Sequence, residues 1–206
     1  MLFVIMFIIA WLPITLFYPT KVFGKKNLVK KQGAVVVCNH LSNLDPILLN
    51  IKLVKKIRFL GKAELFKSKI GAWFYKGLGA IPVNRGTADI NAIKQGLKVL
   101  KENKILGVFP EGTRNKTDDE TKMGKIHEGA IMFASRAGVP IIPIIIYKRP
   151  KFLRRNIIAV GKPFMVDGEN PNKLTPEETK MAVDEMTNKM NELRKMLDDK
   201  YNKKRK

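Results

Sequence analysis

The sequence predicts an α/β fold: a single domain with a largely parallel β-sheet covered by helices, preceded by an apolar N-terminal membrane-anchoring helix. Three observations predict it. Short, continuous apolar runs recur along the chain, and continuous rather than alternating strands belong in a sheet covered on both faces. Segments of helical period separate these runs, so the strands are joined by right-handed crossovers. The first 18 residues, Met1–Tyr18, are almost wholly apolar.

The N-terminal run lacks the basic start and small-residue cleavage site of a secretory signal. It has the minimum length for crossing a bilayer, and Pro13 would kink a helix there. Two arrangements are expected, spanning and lying in the interface. Lys21, Lys25 and Lys26 follow at once and favour a cytoplasmic side for what comes after. Residues 1–20 are read as the anchoring segment and 21–206 as the domain, on the cytoplasmic face of a membrane.

Within the domain, strands are expected at Ala34–Cys38 (AVVVC), Ile57–Leu60, Ile81–Val83, Ile105–Phe109, Ile141–Tyr147 and Ile157–Val160. Helices are expected at about Pro46–Val54, Phe66–Lys76, Thr87–Lys101 and Gly129–Ala137, the last stopped by Gly138-Val139-Pro140. A final helix opens on Thr175-Pro176-Glu177-Glu178, an N-cap, a first-turn proline and a capping-box glutamate. Its stripe Val183, Met186, Met190, Leu193 and Leu197 docks it on the domain. The basic tail Lys203–Lys206 is read as solvated.

The 206 residues suffice for one domain with a sizeable core. A net charge of +21 does not set a fold; it draws polyanions, whether lipid headgroups, anionic substrates or nucleic acid. Aromatic and basic residues are sparsely interleaved and no nucleic-acid motif is present, so no nucleic-acid partner is expected. The lone Cys38 excludes an internal disulfide, no Cys/His cluster has zinc spacing, and no metal is expected. Cys38 ends an apolar strand and is read as a buried small hydrophobe.

Four blocks carry chemistry. His40-Leu41-Ser42-Asn43-Leu44-Asp45 follows the first domain strand, and in α/β sheets ligands bind at strand exits. A neutral imidazole there can take a proton from a hydroxyl if its other nitrogen is held by a carboxylate. From spacing alone, Asp45-Pro46 is equally a helix start with Asp45 as cap. Phe109-Pro110-Glu111-Gly112-Thr113-Arg114 also follows a strand. Gly112 permits close backbone approach to a ligand, Arg114 offers a fork for phosphate, and Glu111 can bond a substrate hydroxyl or orient the arginine. The other two blocks are Gly79-Ala80-Ile81-Pro82-Val83-Asn84-Arg85-Gly86, with Arg85 as a second phosphate ligand, and Val139-Pro140-Ile141-Ile142-Pro143, a structural strand start.

In this order the four blocks resemble the motifs of the glycerol-phosphate acyltransferase superfamily, and most of all those of its 1-acyl-glycerol-3-phosphate acyltransferases. The likeness spans roughly residues 22–165. It implies that His40, oriented by Asp45, deprotonates an acceptor hydroxyl, which attacks the thioester of acyl-CoA or an acyl carrier protein. It implies that Arg85 and Arg114 hold the acceptor's phosphate while Glu111, Gly112 and Thr113 frame its glycerol. The acceptor is then an anionic glycerophosphate, the neighbouring phase membrane lipid, and no cofactor is needed beyond the thioester co-substrate. Two positions depart from the family pattern: Asn115 stands where serine is usual, and His127 where a lysine is common. Rival readings are another acceptor, such as glycerol 3-phosphate or a different lysophospholipid, and a non-catalytic, membrane-tethered polyanion-binding protein. A hydrolase is disfavoured, since no Gly-x-Ser-x-Gly elbow is present.

Overall fold

Three consecutive valines make Ala34–Cys38 (β2) a stiff β-former, and all five of its residues are buried. β2 lies at the centre of the computed structural model. The structure describes residues 2–29, 31–84, 89–115, 117, 119–120, 123–168, 170 and 173–202, the backbone alone for 2–9 and 202. The chain runs α1 (Leu2–Phe17), β1 (Thr20–Phe23), β2, α2 (Asp45–Leu53), β3 (Ile57–Lys62), α3 (Lys69–Gly77), β4 (Ile81–Val83), α4 (Ile90–Lys101), β5 (Ile105–Val108), α5 (Gly129–Ala137), β6 (Ile141–Ile146), β7 (Asn156–Val160) and α6 (Pro176–Asn202).

The strands form one sheet in the order β1-β7-β6-β2-β5-β3-β4. Every pairing is parallel except β6 with β7. Because side chains alternate across a strand, Val35 and Val37 face one layer, with Leu100 of α4, Ile131 and Phe133 of α5, and Met186 and Met190 of α6. Ala34, Val36 and Cys38 face the other, with Leu48 and Leu49 of α2 and Ile14 of α1. The expected α/β class with a largely parallel sheet is what forms.

Element ends follow local chemistry. Gly138 closes α5 in the left-handed region at φ 61°, the usual glycine stop. The capping box of α6 closes reciprocally: the Glu178 amide donates to Thr175 Oγ1 at 3.2 Å, and the Thr175 amide to Glu178 Oε2 at 2.7 Å. α3 starts later than expected because Ser68 caps it, accepting from the Gly71 amide at 3.0 Å. Asp89 caps α4 in the same way through Ala92, while the expected start at Thr87 lies outside the described residues.

Two findings depart from the sequence. β1, Thr20–Phe23, was not expected; it is a four-residue edge strand paired in register with β7. The N-terminal run forms α1, and among the described residues no helix is long and apolar enough to cross a membrane. At 16 residues α1 rises about 24 Å, short of the roughly 30 Å hydrocarbon layer. Ile14 is buried against the domain, whereas Trp11, Leu12 and Leu16 are 45, 64 and 61% exposed. A membrane-spanning anchor is therefore corrected to an apolar helix packed by one side onto α2 and α3.

Candidate active site

β2 delivers Asn39 and His40 to the carboxyl edge of the sheet, where its neighbours β5 and β6 also end. Buried Asn39 fixes that exit. Its Nδ2 donates to the Ile146 carbonyl at 3.0 Å and its Oδ1 accepts the Ile146 amide at 2.8 Å. Asn39→Ala should lower stability by about 2–3 kcal/mol, because buried backbone groups lose their partners. A urea titration would show this as a lower midpoint at unchanged slope.

The next turn folds back and brings Asp45 to His40. His40 Nδ1 lies 2.9 Å from Asp45 Oδ2. The same oxygen accepts the amides of Leu41 at 2.7 Å and Ser42 at 2.8 Å. A carboxylate only accepts, so the imidazole proton sits on Nδ1 and Nε2 carries the lone pair. Asp45 is completely buried and its Oδ1 has no hydrogen-bond partner among the described residues. The alternative role for Asp45, capping α2, does not form: the cap is Leu44, without a side-chain bond. The His40 ring stacks on Phe109 at 3.9 Å between centroids, and Phe109 on Phe59 at 4.9 Å.

After β5 the chain turns through Glu111-Gly112-Thr113-Arg114. Glu111 is buried, and both its oxygens meet backbone: Oε1 accepts the His40 amide at 3.1 Å and Oε2 the Gly124 amide at 2.9 Å. Gly112 has φ 66°, a conformation that glycine alone adopts cheaply. A side chain there would also meet the His127 ring at 3.4 Å. The Asn115 amide donates to the His40 carbonyl at 2.8 Å, tying the two motifs together. Thr113 and Arg114 are exposed and line the same cavity as His40. Arg85 lies outside the described residues.

That cavity, of about 360 Å³, runs from the His40 rim between α2, β3 and α3. Its walls include Ile47, Phe59, Leu60, Leu65, Phe74 and Leu78, with Lys62 and Arg114 as cations. It therefore joins an imidazole base, a guanidinium and a long apolar recess. The Cys38 thiol is fully buried, and burial first, then the charge of Asp45, pushes its pKa well above the ordinary value; it stays protonated and is no nucleophile. Asn39, the Phe109 stack and the backbone role of Glu111 were not drawn from the sequence. The only local signal was the position of Asn39 and Phe109 at strand exits.

Comparison with known proteins places the chain in a family. A model of the family described as Acyltransferase matches residues 19–147. The 1-acyl-sn-glycerol-3-phosphate acyltransferase of Bacillus subtilis is 31% identical over 185 residues, 87% of this chain and 88% of that one. The protein of the same name from Borreliella burgdorferi is 32% identical over 143 residues, 66% of this chain and 54% of that one. The crystal structure of the 1-acyl-sn-glycerophosphate acyltransferase from Thermotoga maritima superposes with a TM-score of 0.61 at 25% identity, covering 84% of this chain and 72% of that one. The chain belongs to the acyltransferase family, among its 1-acyl-sn-glycerol-3-phosphate acyltransferases.

Proposed function

We propose that the enzyme transfers a fatty acyl chain from the thioester of coenzyme A or an acyl carrier protein to the free hydroxyl of 1-acyl-glycerol 3-phosphate, giving phosphatidic acid. The observation that carries the reading is the Asp45-held imidazole opening onto a cavity that also holds Arg114. His40 Nε2 takes the hydroxyl proton as that oxygen attacks the thioester carbonyl. The tetrahedral adduct collapses, the C–S bond breaks, and the imidazolium returns its proton to the leaving thiolate. No covalent acyl-enzyme is formed. Arg114, with Arg85, holds the acceptor's phosphate, while Gly112 and Thr113 border the glycerol.

The apolar recess suits the acyl chain, and α1 with its outward Trp11, Leu12 and Leu16 suits a lipid interface. The enzyme would rest on the cytoplasmic face of a membrane without crossing it.

The recess makes chain length testable. A Cβ at Gly61 would stand 3.5 Å from Phe66 and 3.9 Å from the Ala80 Cβ, which are ordinary contacts, and Gly61 lines the cavity. Gly61→Leu should then fill the recess and shift kcat/KM toward shorter donors, by about fourfold per excluded methylene at roughly 0.8 kcal/mol each. Competition between mixed-length donors would read the shift; an unchanged profile would place the chain elsewhere.

The central test supplies purified protein in detergent with lysophosphatidate and either thioester, following thiol release and phosphatidate by mass. Turnover on lysophosphatidate is the expected result. Turnover only on glycerol 3-phosphate or another lysolipid would change the acceptor, and none on any would remove the reading.

A further inference from the structure

The β6–β7 connection stands apart from the machinery above. Residues 148–155 read Lys-Arg-Pro-Lys-Phe-Leu-Arg-Arg, five cations around one apolar pair and no acid. β6 is parallel to β2 and ends beside it, so this loop rises from the same sheet edge as His40. Phe152 and Leu153 are 55 and 62% exposed.

The loop is rigidly held. Phe152 stacks on Phe17 at the end of α1, with centroids 5.0 Å apart, and meets Tyr18 edge-on at 6.1 Å. The Leu153 amide donates to the Phe17 carbonyl at 2.7 Å. Asn156 braces the base, accepting from the Lys151 amide at 3.0 Å and donating to the Arg154 carbonyl at 2.9 Å. Arg149 ties it to the active-site loop, with Nη2 on the Asn115 carbonyl at 3.1 Å and its amide on Glu120 Oε2 at 2.9 Å.

Leu153 holds φ 54°, a left-handed conformation that L side chains with a branched, bulky group adopt only at a cost. Its side chain nevertheless stays mostly exposed, so the chain gains little burial in return. Glycine or asparagine would fit that turn better. An apolar tip flanked by the exposed Lys151, Arg154 and Arg155, stacked on the end of α1, suits a surface that is apolar inside and anionic outside.

We infer that the 148–155 loop is a second membrane contact, in which Phe152 and Leu153 enter the acyl region while Lys151, Arg154 and Arg155 engage anionic headgroups. The inference rests on the proposed membrane setting and adds a lipid-charge preference to it. It sets the carboxyl edge of the sheet, and the His40 cavity with it, against the bilayer. The contact would favour negatively charged leaflets, about fivefold per cation at roughly 1 kcal/mol each.

The test is flotation of full-length protein with vesicles of phosphatidylcholine alone or with phosphatidylglycerol added, at two salt concentrations, alongside turnover on detergent-dispersed lysophosphatidate. Phe152→Ser/Leu153→Ser should weaken binding to both vesicle types about tenfold or more. Arg154→Gln/Arg155→Gln should weaken binding to anionic vesicles by roughly 25-fold at low salt, since two fivefold steps multiply, and change neutral vesicles little. Leu153→Asn relieves the turn, so a loss of binding with an unchanged or raised melting temperature separates lipid contact from unfolding. Detergent turnover should persist in all three. Vesicle binding that survives all three variants overturns the loop proposal and leaves the membrane setting standing. Wild-type protein that floats with neither vesicle overturns both. Variants that bind vesicles normally but show a raised KM for carrier-protein donors assign the cations to an acidic protein instead.

Discussion

His40→Ala is expected to lower kcat by about a thousandfold while changing KM for either substrate little. General-base catalysis contributes about 100- to 10,000-fold, and neither neighbouring carboxylate stands in for it. Asp45 lies behind the imidazole with its bonded oxygen already accepting three N–H groups. Glu111 has both oxygens on backbone amides. The fold should survive, because the ring's main packing is its stack on Phe109, worth about 1 kcal/mol. Initial rates by thiol release, with a thermal melt alongside, decide it. A folded mutant that retains even a tenth of the turnover would remove His40 from the proton transfer.

Asp45 offers the second large effect, with two substitutions that separate its jobs. Asp45→Ala leaves the Leu41 and Ser42 amides without their acceptor, the first of them buried. It should cost about 2–4 kcal/mol of stability along with most of the activity. Asp45→Asn can set its amide oxygen where Oδ2 stands and its NH₂ where Oδ1 now has no partner. The turn and the imidazole tautomer then persist, but the negative charge that stabilises the imidazolium is gone. The expected result is near-native unfolding by urea with kcat down about a hundredfold or more. Equal stability losses in the two mutants would show that the charge, not the turn, holds the loop.

Much of this was legible in the chain, for reasons that differ by element. β2, β4 and α5 match their expected ranges because a β-branched run, a short apolar run after the Gly79 turn and a glycine stop act locally. β1 was not legible: TKVF is short, half-buried and becomes a strand only when β7 supplies one edge. The His40–Asp45 pair was legible as spacing, yet spacing could not choose between a cap and a triad-like turn. That choice is made by two amides converging on Oδ2. Glu111 was expected to face the glycerol; its geometry depends on a backbone 71 positions away, which no local pattern reports. That Trp11, Leu12 and Leu16 face outward while Ile14 is covered was not legible, because a wholly apolar run does not say which residues a domain will cover.

The Asn39 clamp also has a consequence in time. Its partner, Ile146, lies 107 positions later, and both neighbours of β2 come from the downstream half of the chain. At about 5–20 residues per second, a ribosome takes roughly 5–20 s to travel from one to the other. Until β5 has been made β2 is a valine-rich strand with both edges bare, and until β6 follows one edge stays open, the state most prone to mispairing. A message truncated before Ile146 would yield a polypeptide holding His40, Asp45 and the Glu111–Arg114 turn, yet unfolded and sticky. Refolding in a test tube meets the same ordering as a high contact order, and should be slow and chaperone-responsive beside a helical bundle of equal size.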